Sequence, residues 1–422
     1  FTSSTADSSD VEITFDALTD ESNYTVFLDS VSNISFTNLT ISSTGDYWKS
    51  DVIHIKNGCE NIRLHNNYLY TVFEGNGSAV HSIVVTVNGE NNNHITLNQN
   101  KIENGNYCIY ARGIAGDDLA QNLTITNNTI NCQGYDALRI SAYNLVDIND
   151  NTITSSGATS TVLHAIYGTY VSNFNILRNT IIASDLSSLV TGIEIDLGNS
   201  FSGTESMIAN NLISISNDPE KTCYGIDVSA SNHLDIYYNS VRTQGGTSSM
   251  AIEISDPDDL IVKNNIFSDF SGSNAYVVTG TIHSMTTDFN TIYSNGSTLG
   301  KWLGTDCTDL ASWKATSSQA ANSISADPEF YTETDLRTNG LNLDNTGTPI
   351  SGLSTDIQGN ARDGANPDPG AYEFSAFSHN VRLHLLTTPG TGCGLSAAED
   401  IYIEIINSGT SDETDIPVAY TL

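Results

Sequence analysis

The segment LTITNNTI (123–130) places two alternating apolar residues ahead of a pair of asparagines and a third apolar residue behind them. Near copies run the length of the chain: IRLHNNYL (62–69), ITLNQNKI (95–102), VDINDNTI (146–153), FNILRNTI (174–181), LDIYYNSV (234–241) and LIVKNNIF (260–267). Marking the second asparagine gives Asn67, Asn100, Asn128, Asn151, Asn179, Asn211, Asn239, Asn265 and Asn290, at intervals of 33, 28, 23, 28, 32, 28, 26 and 25 residues. ISFTNLTI (34–41) adds an earlier copy, with Leu39 at the marker. A fixed motif at variable spacing is the signature of stacked turns whose loops absorb insertions, each turn burying its apolar face against its neighbours.

Midway through each turn comes a second alternating run: VIHIK (52–56), CIYAR (108–112), ALRIS (137–141), AIYGT (165–169), GIEID (192–196), GIDVS (225–229) and AIEIS (251–255). Period-two alternation means strands, and Gly, Asn and Ser fill the gaps between them. Two or three short strands per turn with no helix between them predict an all-β chain wound as a right-handed parallel β-helix. Ten turns at about 4.8 Å each make a rod of roughly 45–50 Å. The asparagine column is expected to tolerate left-handed backbone at a sharp bend and to pass side-chain hydrogen bonds from turn to turn.

The charge balance narrows the partners. Fifteen Lys and Arg against 49 Asp and Glu give a net charge of -34, which repels nucleic acid and anionic membrane surfaces. No apolar run is long enough to insert into a membrane, and the carboxylate excess suits a salty or calcium-containing exterior. The six cysteines lie far apart without a CxxC pair, so most are expected to be small buried hydrophobes. A start at Phe1 without a signal peptide reads as a processed chain or a piece of a longer multidomain one.

Beyond the last repeat, FNTIY (289–293), the texture changes. TDLASWKAT (308–316) offers an acidic start and a short helical run. GKWLG (300–304), DLASW (309–313), NSISADPEF (322–330), DIQGNAR (356–362) and DPGAYEF (368–374) follow in order. That order resembles the C-terminal end of secreted parallel β-helix proteins of the pectate-lyase-like superfamily, in particular the large surface proteins of Bacteroidetes-type bacteria associated with type IX secretion. The resemblance implies an extracellular or cell-surface location. The expected division is 1–293 β-helix, 294–375 cap, and 376–422 the opening strands of an immunoglobulin-like sandwich. The last part rests on VRLHLL (381–386), DIYIEII (400–406) and IPVAYTL (416–422), too short for a complete sandwich of about 100 residues.

On the second strand of each turn, Ile53, Ile109, Leu138, Ile166, Ile193, Ile226 and Ile252 should point inward and the next residue outward. The outward column is then His54, Tyr110, Arg139, Tyr167, Glu194, Asp227 and Glu253, with Asp196 one column further on. Tyr110 and Tyr167 flank Arg139, an amphipathic platform on which a sugar ring can stack. Glu194, Asp196, Asp227 and Glu253 form an acidic run whose repulsion a calcium ion would relieve, although a solvated acidic face explains it equally simply. These residues suggest carbohydrate or surface binding in adhesion. The alternatives are a polysaccharide lyase or glycoside hydrolase, and a purely structural spacer. The N-T-D, D-D, G-H-G and R-I-K segments of polygalacturonases are missing, which weighs against catalysis.

Overall fold

A computed structural model describes the chain except residues 6, 18, 20–22, 45–49, 72–81, 87–90, 117, 157–161, 187–188, 339, 376–378, 380, 389–400, 408 and 420–422. Alternating apolar strands joined by short polar corners wind into three sheets. The first has 11 strands, from Glu12–Phe15 to Thr291–Ser294; the second has 12, from Tyr24–Asp29 to Thr305–Cys307; the third has 10, from Ser32–Thr37 to Met285–Asp288. Apart from the last strand of the second sheet, each strand pairs in parallel with its counterpart one turn away, for instance Ile125 with Leu97 and with Ile148. The ten strands of the third sheet each lead into one of the ten marker positions. The protein is a parallel β-helix.

The core is a set of aliphatic columns. Ile53, Ile109, Leu138, Ile166, Ile193, Ile226 and Ile252 are all buried in the second sheet, and Ile62, Leu64, Ile95, Leu97, Leu123 and Ile125 are buried in the third. Each such side chain contributes on the order of 1.5–3 kcal/mol by leaving water. No turn can bury its face alone, so stability is shared along the stack.

The corner between the third and first sheets carries the asparagine ladder. Asn128 is typical. Its Oδ1 accepts from the backbone N–H of Asn100 at 2.9 Å and from Asn100 Nδ2 at 3.0 Å. Its Nδ2 donates to Leu97 O at 3.0 Å and to Asn151 Oδ1 at 3.0 Å. The pattern holds from Asn67 to Asn290. Leu39 supplies only a backbone N–H to Asn67, and Ser323 Oγ accepts from the N–H of Asn290 at the far end. The cap segment NSI thus forms one more rung with a hydroxyl in place of the amide.

One part of the sequence reading needs correction. The ladder asparagines are not the left-handed residues. Positive φ belongs to the residue before each: Asn38, Asn66, Gln99, Asn127, Asp150, Arg178, Asn210, Tyr238, Asn264 and Phe289, with φ of 52–60°. The bend asks only for a tolerable left-handed backbone, so Arg, Tyr and Phe occupy it, whereas the next position needs an amide to serve the turns on either side.

At the C-terminal end, the second sheet continues to Gly300–Trp302 before turning back antiparallel through Thr305–Cys307. Helix α1 (Leu310–Ser317) follows, capped by Asp309, whose side chain accepts from the Ser312 N–H. It lays the fully buried Trp313 against Tyr276 and Trp302, at ring distances of 4.9 and 5.5 Å. The downstream motifs then run back along the flank of earlier turns. Arg362 sits 3.8 Å over the Tyr238 ring and donates to Asn210 Oδ1, while Thr348 exchanges hydrogen bonds with Asn264. Gly370 enters this strap at φ 88°, where a Cβ would lie 2.6 Å from both Ile266 Cδ1 and Ser240 Oγ. Beyond the strap, Val381–Thr388 and Tyr402–Asn407 form an antiparallel pair. The third tail strand expected at 416–422 is absent over 416–419, and 420–422 lie outside the described residues.

The ladder predicts a position-specific cost. Asn179→Ala orphans the Asn151 N–H and Nδ2 donors and the Ile148 carbonyl, and should lower unfolding free energy by about 2–4 kcal/mol. Gln99→Gly, at a left-handed and exposed position one residue from a rung, should change it by no more than about 1 kcal/mol. Denaturant titration of both variants makes the comparison.

Candidate functional site

In the parallel register of the second sheet Phe27, His54, Val85, Tyr110, Arg139, Tyr167, Glu194, Asp227, Glu253, Val277 and Lys301 are successive Cα partners, and His54, Tyr110, Arg139, Tyr167, Glu194, Asp227 and Glu253 are partly exposed. Asp196 lies two residues along its strand from Glu194 and accepts from Ser229 Oγ at 2.8 Å on the next turn. The aromatic, basic part and the acidic part are therefore neighbouring stretches of one surface.

Strict alternation fails at the start of these strands. A column of small or compact residues, including Cys108, Ala137, Ala165, Gly192, Gly225 and Ala251, turns inward beside the aliphatic column. Its crowding is severe: a Cβ on Gly225 would meet Val241 Cγ1 at 2.2 Å and Ala251 O at 2.4 Å. The register skips over these residues, and the residue before each forms a further ladder, Tyr107 to Asp136 to His164 to Thr191. Period-two reading assigns 136 and 164 to the core. The structure places their side chains beside the outward column.

Asp136 and His164 join the two expected clusters. Asp136 accepts from Arg139 Nη1 at 2.9 Å and faces His164 Nδ1 at 2.5 Å, while His164 Nε2 reaches Glu194 Oε2 at 3.0 Å. Burial alone would drain the proton from His164, but its bonds to Asp136 and Glu194 outweigh burial and push its pKa up to about 9. Both ring nitrogens donate, so the imidazolium bridges two carboxylates across three turns. Tyr167 stacks on it, with ring centroids 5.1 Å apart and planes 26° apart.

Arg139 is wrapped by aromatics. Its guanidinium carbon lies 4.8 Å from the Tyr167 ring centre, 5.8 Å from that of Tyr110 and 6.0 Å from that of Tyr107. Tyr107 and Tyr110 stack at 5.3 Å. The result is a half-buried surface of three phenol rings, one cation and one imidazolium, the composition that contacts the apolar faces and hydroxyls of a sugar.

On the acidic side, Asp227 sits between Glu194 and Glu253 in the register. Its burial, followed by the charges of Glu194 and Glu253, pushes its pKa up to about 7. Burial also raises Glu253. Among the described residues, no group of three or more His, Cys, Asp or Glu side chains is arranged to hold a metal ion. The five described cysteines are buried and free, and Cys393 lies outside the described residues. His164 and Asp136 escaped the sequence reading; their one signal is a small residue directly before the inward aliphatic, in DAL (136–138) and HAI (164–166).

Compared with family models, with curated proteins and with solved structures, the chain matches none.

The carboxyl at Asp227 gives a signed pH dependence. Its folded pKa lies above the ordinary 3.8, so the folded state holds the proton more tightly. The resulting stability is present at acid pH and is lost as pH rises from about 4 through about 7. Asp227→Asn should therefore gain on the wild type by on the order of 2–4 kcal/mol between pH 4 and pH 8, read from denaturant midpoints across that range.

Proposed function

We propose that this β-helix belongs to an exported, cell-surface or extracellular protein and binds carbohydrate or other surface material along the second sheet, in adhesion rather than catalysis. The observation that supports this most strongly is the Arg139 guanidinium held among Tyr107, Tyr110 and Tyr167, a rigid aromatic surface bordered by hydrogen-bonding charges. Its rigidity matters because strand-borne rings lose little freedom when a ligand stacks on them. The net charge of -34 disfavours polyanionic ligands and favours neutral or basic ones, unless calcium bridges an acidic chain to Glu194, Asp196, Asp227 and Glu253. Export by the type IX route, and adjoining modules in a longer chain, belong to the same proposal and rest on the resemblance of the tail motifs.

A second reading, cleavage of a polysaccharide by hydrolysis or elimination, is favoured by one observation. Burial raises the pKa of Asp227 to about 7 beside Glu194, which is ion-paired to His164, and a carboxyl group poised to hold or release a proton next to a second carboxyl is the raw material of general acid and base catalysis.

One experiment separates the readings. Immobilised glycans are presented to the wild type, to Arg139→Ala with Tyr167→Ala, and to Asp227→Asn, with and without calcium, and the supernatant is assayed for reducing ends and unsaturated sugars. The adhesive reading expects retention that falls at least roughly tenfold in the Arg139 and Tyr167 variant, with no product. Product that disappears in Asp227→Asn would instead establish the enzyme. A chain with neither retention nor product would be a spacer.

A further inference from the structure

A second concave feature lies round the corner from that face, where the second sheet passes into the third. Gly116, Leu119, Gln121, Asn144, Tyr170, Ser172, Asn199 and Phe201 line an open cleft of about 340 Å³. Its walls come from four successive turns: Gln121 pairs with Asn144 and Asn144 with Ser172 in the ladder, and the Asn199 N–H donates to Val171 O on the turn before. Four turns span three rises of about 4.8 Å, roughly 14 Å along the rod, so the cleft suits a linear ligand lying parallel to the axis.

Three features specify the ligand. First, none of the described residues lining the cleft is charged, on a molecule of net charge -34. Second, side-chain amides line it, Gln121, Asn144 and Asn199, and two of them are tied into a chain that continues behind the cleft. Asn144 Nδ2 donates to Gln121 Oε1 at 2.8 Å, Asn173 Nδ2 donates to Asn144 Oδ1 at 2.7 Å, and Thr204 Oγ1 donates to Asn173 Oδ1 at 2.9 Å. Gln121 Nε2 also donates to Leu119 O at 2.7 Å; as each amide nitrogen carries two hydrogens and each amide oxygen two lone pairs, Asn144 and Gln121 are oriented and each keeps one N–H and one lone pair for a ligand. Third, the rim is aromatic and wet: Tyr170 is 47% exposed and Phe201 71%. Tyr170 sits in left-handed backbone at φ 52°, at a corner where other turns place Asn57, Ala142, Leu197, Ala230, Asp256 or Gly280.

Oriented amides beneath exposed rings, without charge, match the alternating hydroxyl edges and C–H faces of a neutral sugar chain. We propose that this cleft is a second, independent binding site for a linear neutral oligosaccharide, stacked on Tyr170 and Phe201 and hydrogen-bonded to Gln121 and Asn144. The proposal does not depend on the Tyr110, Arg139 and Tyr167 surface.

Calorimetric titration tests it on the full 422-residue chain, with cellohexaose, xylohexaose, mannohexaose and maltohexaose as neutral probes and trigalacturonate as the acidic one. At least one neutral hexasaccharide should bind and trigalacturonate should not bind at this cleft. With the first surface silenced by Arg139→Ala and Tyr167→Ala, a neutral hexasaccharide should still bind at the cleft, and adding Tyr170→Ala with Phe201→Ala should weaken that remaining binding at least roughly tenfold. Because loss of affinity could reflect misfolding, Asn144→Asp is measured too: it keeps the size and the acceptor but removes the donor and adds charge, and should weaken binding while the chain still melts in one cooperative transition. The proposal is overturned if no neutral hexasaccharide binds, if the Tyr170 and Phe201 pair can be removed without effect, or if only the Arg139 and Tyr167 variant loses binding. That last result would leave the first surface standing without the second.

Discussion

Parallel turns stacked in a coil have no water inside to satisfy the polar backbone at their corners, so every corner must be served by the turn above or below. At the corner between the third and first sheets a single side-chain amide per turn meets that demand. Each ladder asparagine from Asn100 to Asn265 binds two donors of the preceding turn through its oxygen, and it spends its two N–H groups on a carbonyl of that turn and on the next amide. Because each rung serves its neighbours, the ladder fixes the register of all three sheets at once. Slipping one turn by a residue would bury outward polar groups and strip two corners of their partners. Turn lengths that vary from 23 to 33 residues between rungs are tolerated because the constraint acts at one point per turn.

That fixed register is also what makes a surface out of distant residues. Tyr110, Arg139 and Tyr167 are separated by 29 and 28 residues in sequence, yet lie on consecutive strands of one sheet. The same stacking brings Asp136, His164 and Glu194 into a bridged trio. The strap formed by Arg362, Thr348 and Gly370 holds the corners at Asn210, Tyr238 and Asn264, so the tail motifs brace the flank of the rod as well as following its end.

The architecture was legible because its signal repeats: aliphatic columns and a recurrent asparagine are visible in the chain itself, as is the Asp309 cap of helix α1. The outward column could be numbered correctly for the same reason, since alternation holds from the inward aliphatic onward. What stayed hidden breaks alternation. The crowding that forces Gly, Ala or Cys inward shifts Asp136 and His164 from their nominal core positions to the flank of the site, an effect of packing against the first sheet. The left-handed corner was also hidden: Asn is common there, so adjacent asparagines conceal which one bends the chain and which one bonds across turns.

Native-state amide hydrogen exchange tests the central claim most directly. If the ladder holds the stack, the backbone N–H groups of Asn100, Asn128, Asn151, Asn179, Asn211, Asn239 and Asn265 exchange among the slowest in the chain. Their opening energies should then be close to one another and far above those of loop amides at 200–205. Ladder amides that exchange as fast as those loops, or singly with unrelated energies, would contradict the account.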